Sequence, residues 1–237
     1  MSKPIIVSLE GNIGAGKSTL LENLQLRYAN DKTVVFLKEP VDLWAKIKDK
    51  SGETMLSKFY QDPSKYSFAF QIMAYTTRLH MLRQLIGENP DCRVIVCERS
   101  LDADKHIFAK MLHADGKMED IMYQVYETYF SEYEGDYHLD AVIYVDALAD
   151  TCFKRIGIRS RDGESSIPLA YLEQCRNYHE AWLKNYNDLK IPVLNIQTDE
   201  EANFIDESDP GLLWLDRIDI FLDTIVGGTT GLQNQRS

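Results

Sequence analysis

Five short runs of unbroken apolar character punctuate the chain: IIVSL at 5–9, VVFL at 34–37, RVIVCE at 93–98, AVIYVD at 141–146 and IPVLNI at 191–196. They are rich in β-branched residues and do not alternate apolar with polar positions, which is the pattern of strands covered on both faces in a parallel sheet. Helical spacing takes over between them. Leu20, Leu21, Leu24 and Tyr28 repeat at the helix period after the first run, as do Phe68, Ile72, Tyr75 and Leu79 in the long segment before the third. Strands alternating with helices predict a doubly wound α/β fold built on a five-stranded parallel sheet flanked by helices. No internal repeat or low-complexity linker interrupts the pattern, so residues 1–226 read as one domain and 227–237, GGTTGLQNQRS, as a flexible tail.

Composition narrows the picture. With 26 Lys and Arg against 37 Asp and Glu, the formal charge of -11 repels polyanions and argues against nucleic-acid binding. The excess is uneven. Residues 199–223 hold nine acids and one arginine, whereas Lys154, Arg155, Arg159 and Arg161 cluster within eight residues, and an anion would go to the second region. Cys92, Cys97, Cys152 and Cys175 lack paired metal-ligand spacing; Cys92 and Cys97 read as small core residues in a reduced compartment. No leader precedes IIVSL and no run reaches membrane-spanning length, so a soluble cytoplasmic protein without membrane partners is expected.

The sharpest local signal follows the first run. Residues 11–19, Gly11, Asn12, Ile13, Gly14, Ala15, Gly16, Lys17, Ser18 and Thr19, satisfy G-x-x-x-x-G-K-[ST], with a strand before and a leucine-patterned helix after. Backbone N–H groups of such a loop converge on phosphate oxygens, the lysine reaches the β- and γ-phosphates, and the serine hydroxyl can ligate Mg²⁺. A nucleoside triphosphate with Mg²⁺ is therefore expected, a ligand that GTPases, motors and small-molecule kinases share. The D-x-x-G and N-K-x-D signatures of guanine-specific switch proteins are absent. The second run stops on Glu39 and Pro40, and the third on Glu98, Arg99 and Ser100. In folds of this class ligands gather beyond the carboxyl ends of the strands, where Glu98 would face the metal beside Ser18.

Taken together, GNIGAGKST, KEPVDLW, SFAFQ, Arg78, ERS and RIGIRSRDGESSIPLAYL resemble the deoxyribonucleoside kinase family of P-loop kinases, in order, from about residue 5 to residue 202. The resemblance implies ATP-dependent phosphorylation of a deoxynucleoside 5′-hydroxyl. Glu39 would be the general base, since a sugar hydroxyl is a poor nucleophile that a carboxylate can orient and deprotonate. Arg99 would hold base and hydroxyl and support phosphate charge, with Lys17, Arg159 and Arg161 as further cations around the γ-phosphate. The segment carrying Arg159 and Arg161 resembles the family's helical lid. Arg155 resembles the lid arginine that stacks on adenine, while Lys154 is equally well a solvated cation. Backbone at Glu200, Glu201 and Ala202 would lie near the adenine.

On the acceptor side, Tyr60 and Glu164 match positions that bond the sugar 3′-hydroxyl, with Gly163 where a close relative carries an acid, and Gln71 matches a base-reading glutamine. Trp44, Leu56, Phe70 and Phe108 would wall the base, although Phe70 and Phe108 also suit ordinary core packing. Arg78 and Asp104 accompany purine or cytosine use in the family and would crowd the thymine methyl; Ala74 resembles the deoxycytidine kinase residue. Deoxyadenosine, deoxyguanosine or deoxycytidine is thus expected over thymidine. A homodimer and feedback inhibition by a deoxynucleoside triphosphate are also implied. Two rivals stand beside this reading: a nucleoside monophosphate kinase, which needs an extra cationic site, and an inactive structural relative, which would lose Lys17, Glu39 or Arg99.

Overall fold

Each apolar run becomes a strand in the computed structural model, which describes residues 3–159, 163–189, 191–206 and 208–233. The strands are β1 (Ile5–Gly11), β2 (Val34–Leu37), β3 (Val94–Glu98), β4 (Ala141–Asp146) and β5 (Val193–Gln197). They form one all-parallel sheet in the order β2-β3-β1-β4-β5. β1, β3 and β4 are buried along almost their whole length, as unbroken apolarity requires. β2 departs from this. Lying at the edge, it buries only Leu37 fully and leaves Val34, Val35 and Phe36 half-covered.

Ten helices surround the sheet: α1 (Lys17–Arg27), α2 (Val41–Trp44), α3 (Met55–Gln61), α4 (Pro63–Glu88), α5 (Leu101–Ala103), α6 (Lys110–Ala114), α7 (Asp120–Glu134), α8 (Ala149–Arg159), α9 (Leu169–Asp188) and α10 (Pro210–Gln233) among the described residues. A π-helical turn, Asp104–Ala109, joins α5 to α6. Successive strand side chains part to opposite faces. Val94, Val96, Ile143 and Val145 pack with Leu20, Leu21 and Leu24 of α1, Cys152 and Ile156 of α8 and Ile218 of α10. Ile95, Cys97, Val142 and Tyr144 pack with Tyr75 and Leu79 of α4, Phe130 of α7 and Trp182 of α9. All four cysteines are buried and unbridged.

Local signals set the helix starts. Thr54 accepts from the Ser57 amide at 3.1 Å to open α3, and Asp62 accepts from the Lys65 amide at 3.2 Å ahead of Pro63, the first residue of α4. The last helix carries on past Gly227, where the sequence reading begins a tail, to Gln233; a glycine disfavours helix by only about 1 kcal/mol. No helix among the described residues is long and apolar enough to cross a membrane.

The register aligns the chemistry. Leu9 pairs with Glu98, Gly11 with Val145 and Leu37 with Cys97, so the P-loop, Glu98 and the Glu39 turn all leave the sheet at its carboxyl edge. A third, smaller cluster of Trp44, Leu56, Phe59, Phe70, Ala74, Leu112 and Met118 builds a wall beside that edge.

Candidate active site

The loop after β1 is shaped by close approach. Gly14 has φ +82°, and a Cβ there would lie 2.6 Å from the Cys152 carbonyl of α8, so only glycine lets the loop press against that helix. Within the loop Lys17 is buried, and its Nζ donates to the Gly11 and Asn12 carbonyls at 3.1 and 2.7 Å. Burial pushes this ammonium down to about 8, with Arg99 adding to the effect. It is a cation curled on its own loop that an anionic ligand would favour. Ser18 donates to Glu98 Oε1 at 2.5 Å. One hydroxyl and one carboxylate fit a Mg²⁺ that takes its other ligands from phosphate and water; no group of three or more His, Cys, Asp or Glu among the described residues could hold a metal.

Glu39 lies just past β2, close to two guanidinium groups: Arg78 Nη2 at 3.2 Å and Arg99 Nε at 3.4 Å. Burial presses its carboxyl up, but Arg99, Arg78 and Lys17 outweigh that and hold it below the usual carboxylate range. Glu39 is therefore ionised at neutral pH, with acceptor capacity to spare. Arg78, on α4, is shared: its Nε bonds Asp104 Oδ2 at 3.0 Å, its Nη1 the Glu98 carbonyl at 2.9 Å, and its Nη2 Glu39. One guanidinium thus ties the residue predicted to read the base to the residue predicted to face the 5′-hydroxyl. Arg99 stands at φ +64°, in the left-handed region, with its guanidinium 4.7 Å above the Phe108 ring.

A cavity of about 490 Å³ runs from the P-loop past Glu39, Glu98 and Arg99 into the chamber walled by Trp44, Leu56 and Phe70. Trp44 is held by its indole N–H on Thr77 Oγ1 at 2.9 Å. Phe70 meets Trp44 edge-on at 5.5 Å and stacks on Phe59 at 4.5 Å, so it is at once core and wall. Phe108 likewise lines the cavity while packing against His179. Gln71 is buried in the chamber with its Oε1 unpartnered, an acceptor that a ligand donor would satisfy.

Tyr60 and Glu164 also line the cavity. Gly163 explains how Glu164 reaches it: at φ +81°, a Cβ there would stand 2.9 Å from Ser57 Cα, so the missing side chain lets the segment close onto α3. Arg159 pairs with Glu164 Oε2 through Nη2 at 2.5 Å and Nε at 3.1 Å. Arg155 donates to the Thr198 and Glu200 carbonyls at 2.6 and 3.1 Å, binding the P-loop side of the cavity to the segment with Glu200, Glu201 and Ala202. Lys154 is exposed, and Arg161 lies outside the described residues.

Ile13, Gly14, Ala15, Gly16, Lys17, Ser18 and Thr19 face the cavity, but Gly11 and Asn12 do not. Asn12 is buried and donates to the Leu172 carbonyl of α9 at 2.8 Å, which makes it an anchor of the loop. Several cavity residues were given no role by the sequence reading: Phe59 and Trp214 line it outside every quoted motif, Tyr171 lines it from within the RIGIRSRDGESSIPLAYL stretch, and Phe204 lines it just past Ala202. Glu10, buried behind the loop, directly follows the first apolar run, the same position at a run's end that Glu39 and Glu98 hold.

A parallel sheet whose central strand feeds a glycine-rich loop into a helix, with a cavity running from that loop along the same edge, defines the P-loop kinase fold. The deoxynucleoside kinase family model matches residues 7–221, and the chain belongs to that family. It is 35% identical over 208 residues to a probable deoxycytidine kinase of fowlpox virus, covering 86% of this chain and 82% of that protein. It is 32% identical over 221 residues to human deoxycytidine kinase, covering 82% and 84%. It is also 32% identical over 203 residues to mitochondrial thymidine kinase 2 of Macaca fascicularis, covering 83% and 72%.

Proposed function

We propose that the protein transfers the γ-phosphate of ATP to the 5′-hydroxyl of deoxycytidine, deoxyadenosine or deoxyguanosine, and uses thymidine poorly. The observation that carries this reading is the buried Asp104–Arg78–Glu39 chain, which supplies a carboxylate and a guanidinium at the base end of the chamber and a carboxylate at the hydroxyl end. Cytosine and the purines carry exocyclic amines or ring nitrogens that such a pair can meet, whereas thymine presents a methyl group to it. The similarity to proteins named as deoxycytidine kinases supports the choice, and the similarity to a thymidine kinase makes it worth testing.

Glu39 orients the 5′-hydroxyl and accepts its proton. Its depressed basicity suits the task, because a loose phosphoryl-transfer transition state asks more for placement than for a strong base. Lys17 leaves the loop carbonyls for the donor's phosphate oxygens, while the loop amides hold those oxygens in place. Ser18 and Glu98 are the residues that would hold Mg²⁺, which when bound neutralises charge on the donor phosphates. Arg99 and Arg159 add positive charge at the transferring group. Tyr60 and Glu164 take the sugar 3′-hydroxyl, Gln71 the base edge, and Arg155 with the Glu200–Ala202 backbone the donor adenine.

An acceptor already bearing a phosphate fits less well. Arg78 faces Asp104 and Glu39, and Arg99 lies between Glu39 and Glu10, so each chamber cation already has carboxylates beside it and none is set aside for an acceptor phosphate. A homodimer, as the family resemblance implies, would cover Ile121 and Val125, exposed on α7, and a deoxynucleoside triphosphate would span donor and acceptor spaces as an inhibitor. A coupled assay of ADP release with ATP and each of the four deoxynucleosides tests the function. We expect turnover with deoxycytidine or a deoxypurine nucleoside well above that with thymidine; thymidine as the best substrate sinks the specificity, and silence with all four sinks the activity.

A further inference from the structure

Glu10 is a fully buried carboxylate that the mechanism above leaves unused. It stands one residue before the P-loop, and its Oε1 accepts from both the amide and the hydroxyl of Ser100, at 2.8 and 2.7 Å. That hydroxyl in turn accepts from the Ala103 amide at 3.0 Å, opening α5. The preceding amide, that of Arg99, donates to the Leu9 carbonyl at 3.1 Å. Two successive amides of the turn are therefore bonded to two successive residues of β1, and between them Arg99 is held in a left-handed conformation that a non-glycine residue adopts only when its surroundings over-determine it.

The turn sets where the Arg99 guanidinium goes. It lies over Phe108 between two carboxylates, with Nε 3.4 Å from Glu39 Oε1 and Nη1 4.0 Å from Glu10 Oε2. Both separations exceed the ~2.7–2.9 Å of a closed charged hydrogen bond. Arg99 Nη1 and Glu10 Oε2 are each buried without a hydrogen-bond partner, and such orphans persist in a native site only for a reason. Burial pushes the Glu10 carboxyl up while Arg99 and the Ser100 hydrogen bonds pull it back down; a proton on Oε2 would have no acceptor and would oppose a guanidinium N–H, so the geometry favours the carboxylate form. If the attraction of Glu10 were removed, Arg99 would close onto Glu39 and occupy the lone pairs that the acceptor hydroxyl requires.

Resting on the kinase reading above, we propose that Glu10 is a positioning residue of the phosphoryl-transfer site: it clamps the strained turn at Arg99 and balances the pull of Glu39 on the guanidinium, keeping Glu39 open to the 5′-hydroxyl. It touches neither substrate and acts through Arg99. Glu10→Gln keeps the shape and an oxygen for Ser100 but removes the charge. Steady-state kinetics on full-length protein should show kcat reduced about tenfold or more, with both KM values within about twofold of wild type, the split expected when an interaction made in the transition state is lost. A merely structural residue would change the melting temperature and leave that split absent. An active wild type beside a folded Glu10→Gln of unchanged kcat overturns this proposal alone, whereas a wild type inert with all four deoxynucleosides overturns it together with the kinase reading. Should Glu10→Gln fail to fold, Ser100→Ala removes one of the two clamp bonds, together with the cap of α5, while leaving the charge. It should lower kcat by about threefold at unchanged KM for the nucleoside, and a wild-type kcat would overturn the clamp.

Discussion

Glu39 and Arg78, the proposed general base and a proposed base-reading residue, meet in one contact 3.2 Å long. Because Glu39 is held ionised by its cationic neighbours, replacing it removes a proton acceptor without exposing apolar surface. Glu39→Gln should therefore fold and bind nucleoside, yet lose roughly 10²-fold or more in kcat, the usual loss for a general base; near-normal turnover in a stopped assay would take the role away from it. Arg78 poses a different problem, since removing it alone would leave Asp104 buried and unpaired at a cost of several kcal/mol. The paired change Arg78→Met with Asp104→Ala removes both charges and opens room for a methyl group. Competition assays should then show the preference moving towards thymidine, and a folded double variant with flat thymidine activity would disprove the pocket assignment.

Helix α9 shows how an element carries both stability and site geometry. It anchors the P-loop through Asn12 on Leu172 and presents Tyr171 to the cavity. Deeper in, His179 donates Nδ1–H to the Cys175 carbonyl at 2.7 Å and stacks on Tyr144, and its Nε2 has no partner. Burial, reinforced by Arg99, pushes this imidazole from 6.5 down to about 3. The unfolded chain thus takes up a proton that the folded chain refuses as pH falls through about 6.5, so the contribution of neutral His179 is complete above that pH and lost below it, by up to about 1.4 kcal/mol per pH unit. Thermal melts should fall between pH 6.5 and pH 4, and a folded His179→Gln variant should fall less steeply; equal slopes would show that His179 takes up its proton alike in the folded and unfolded chains. Other elements were readable in advance. The apolar runs marked the strands because a sheet covered by helices on both faces needs no polar side, and the leucine spacing marked α1 because it buries one stripe. The edge strand β2 misled for the same reason: apolarity reports what a strand can bury, and its position in the sheet settles what it does bury.

At the level of the whole molecule, α7 leaves Ile121 and Val125 73% and 50% exposed, in a shallow surface depression shared with Gln124, Thr128, Tyr129 and Glu132. A homodimer built on that face should sediment at about twice the 27.3 kDa of one chain and fall to monomer on Ile121→Asp with Val125→Asp; a wild type that sediments as a monomer at micromolar concentration would refute it. The site divides in the same way between what was legible and what was not. GNIGAGKST points to a phosphate loop because its pattern is written in consecutive residues, whereas Glu39, Glu98 and Arg99 stand out as charges at the ends of apolar runs and take their proposed roles from the motifs KEPVDLW and ERS. The order of residues along the chain thus sufficed for the parallel α/β class, the phosphate loop and the family. Folding was needed to turn Asn12 from a presumed ligand contact into an anchor, to bring Phe204 and Trp214 to the donor end, to make Phe70 both core and wall, and to suspend Arg99 between Glu39 and Glu10 across 89 residues of chain (99 − 10). Burial, pairing and strain arise between side chains distant in sequence, and no local pattern of residues specifies the separations that govern them.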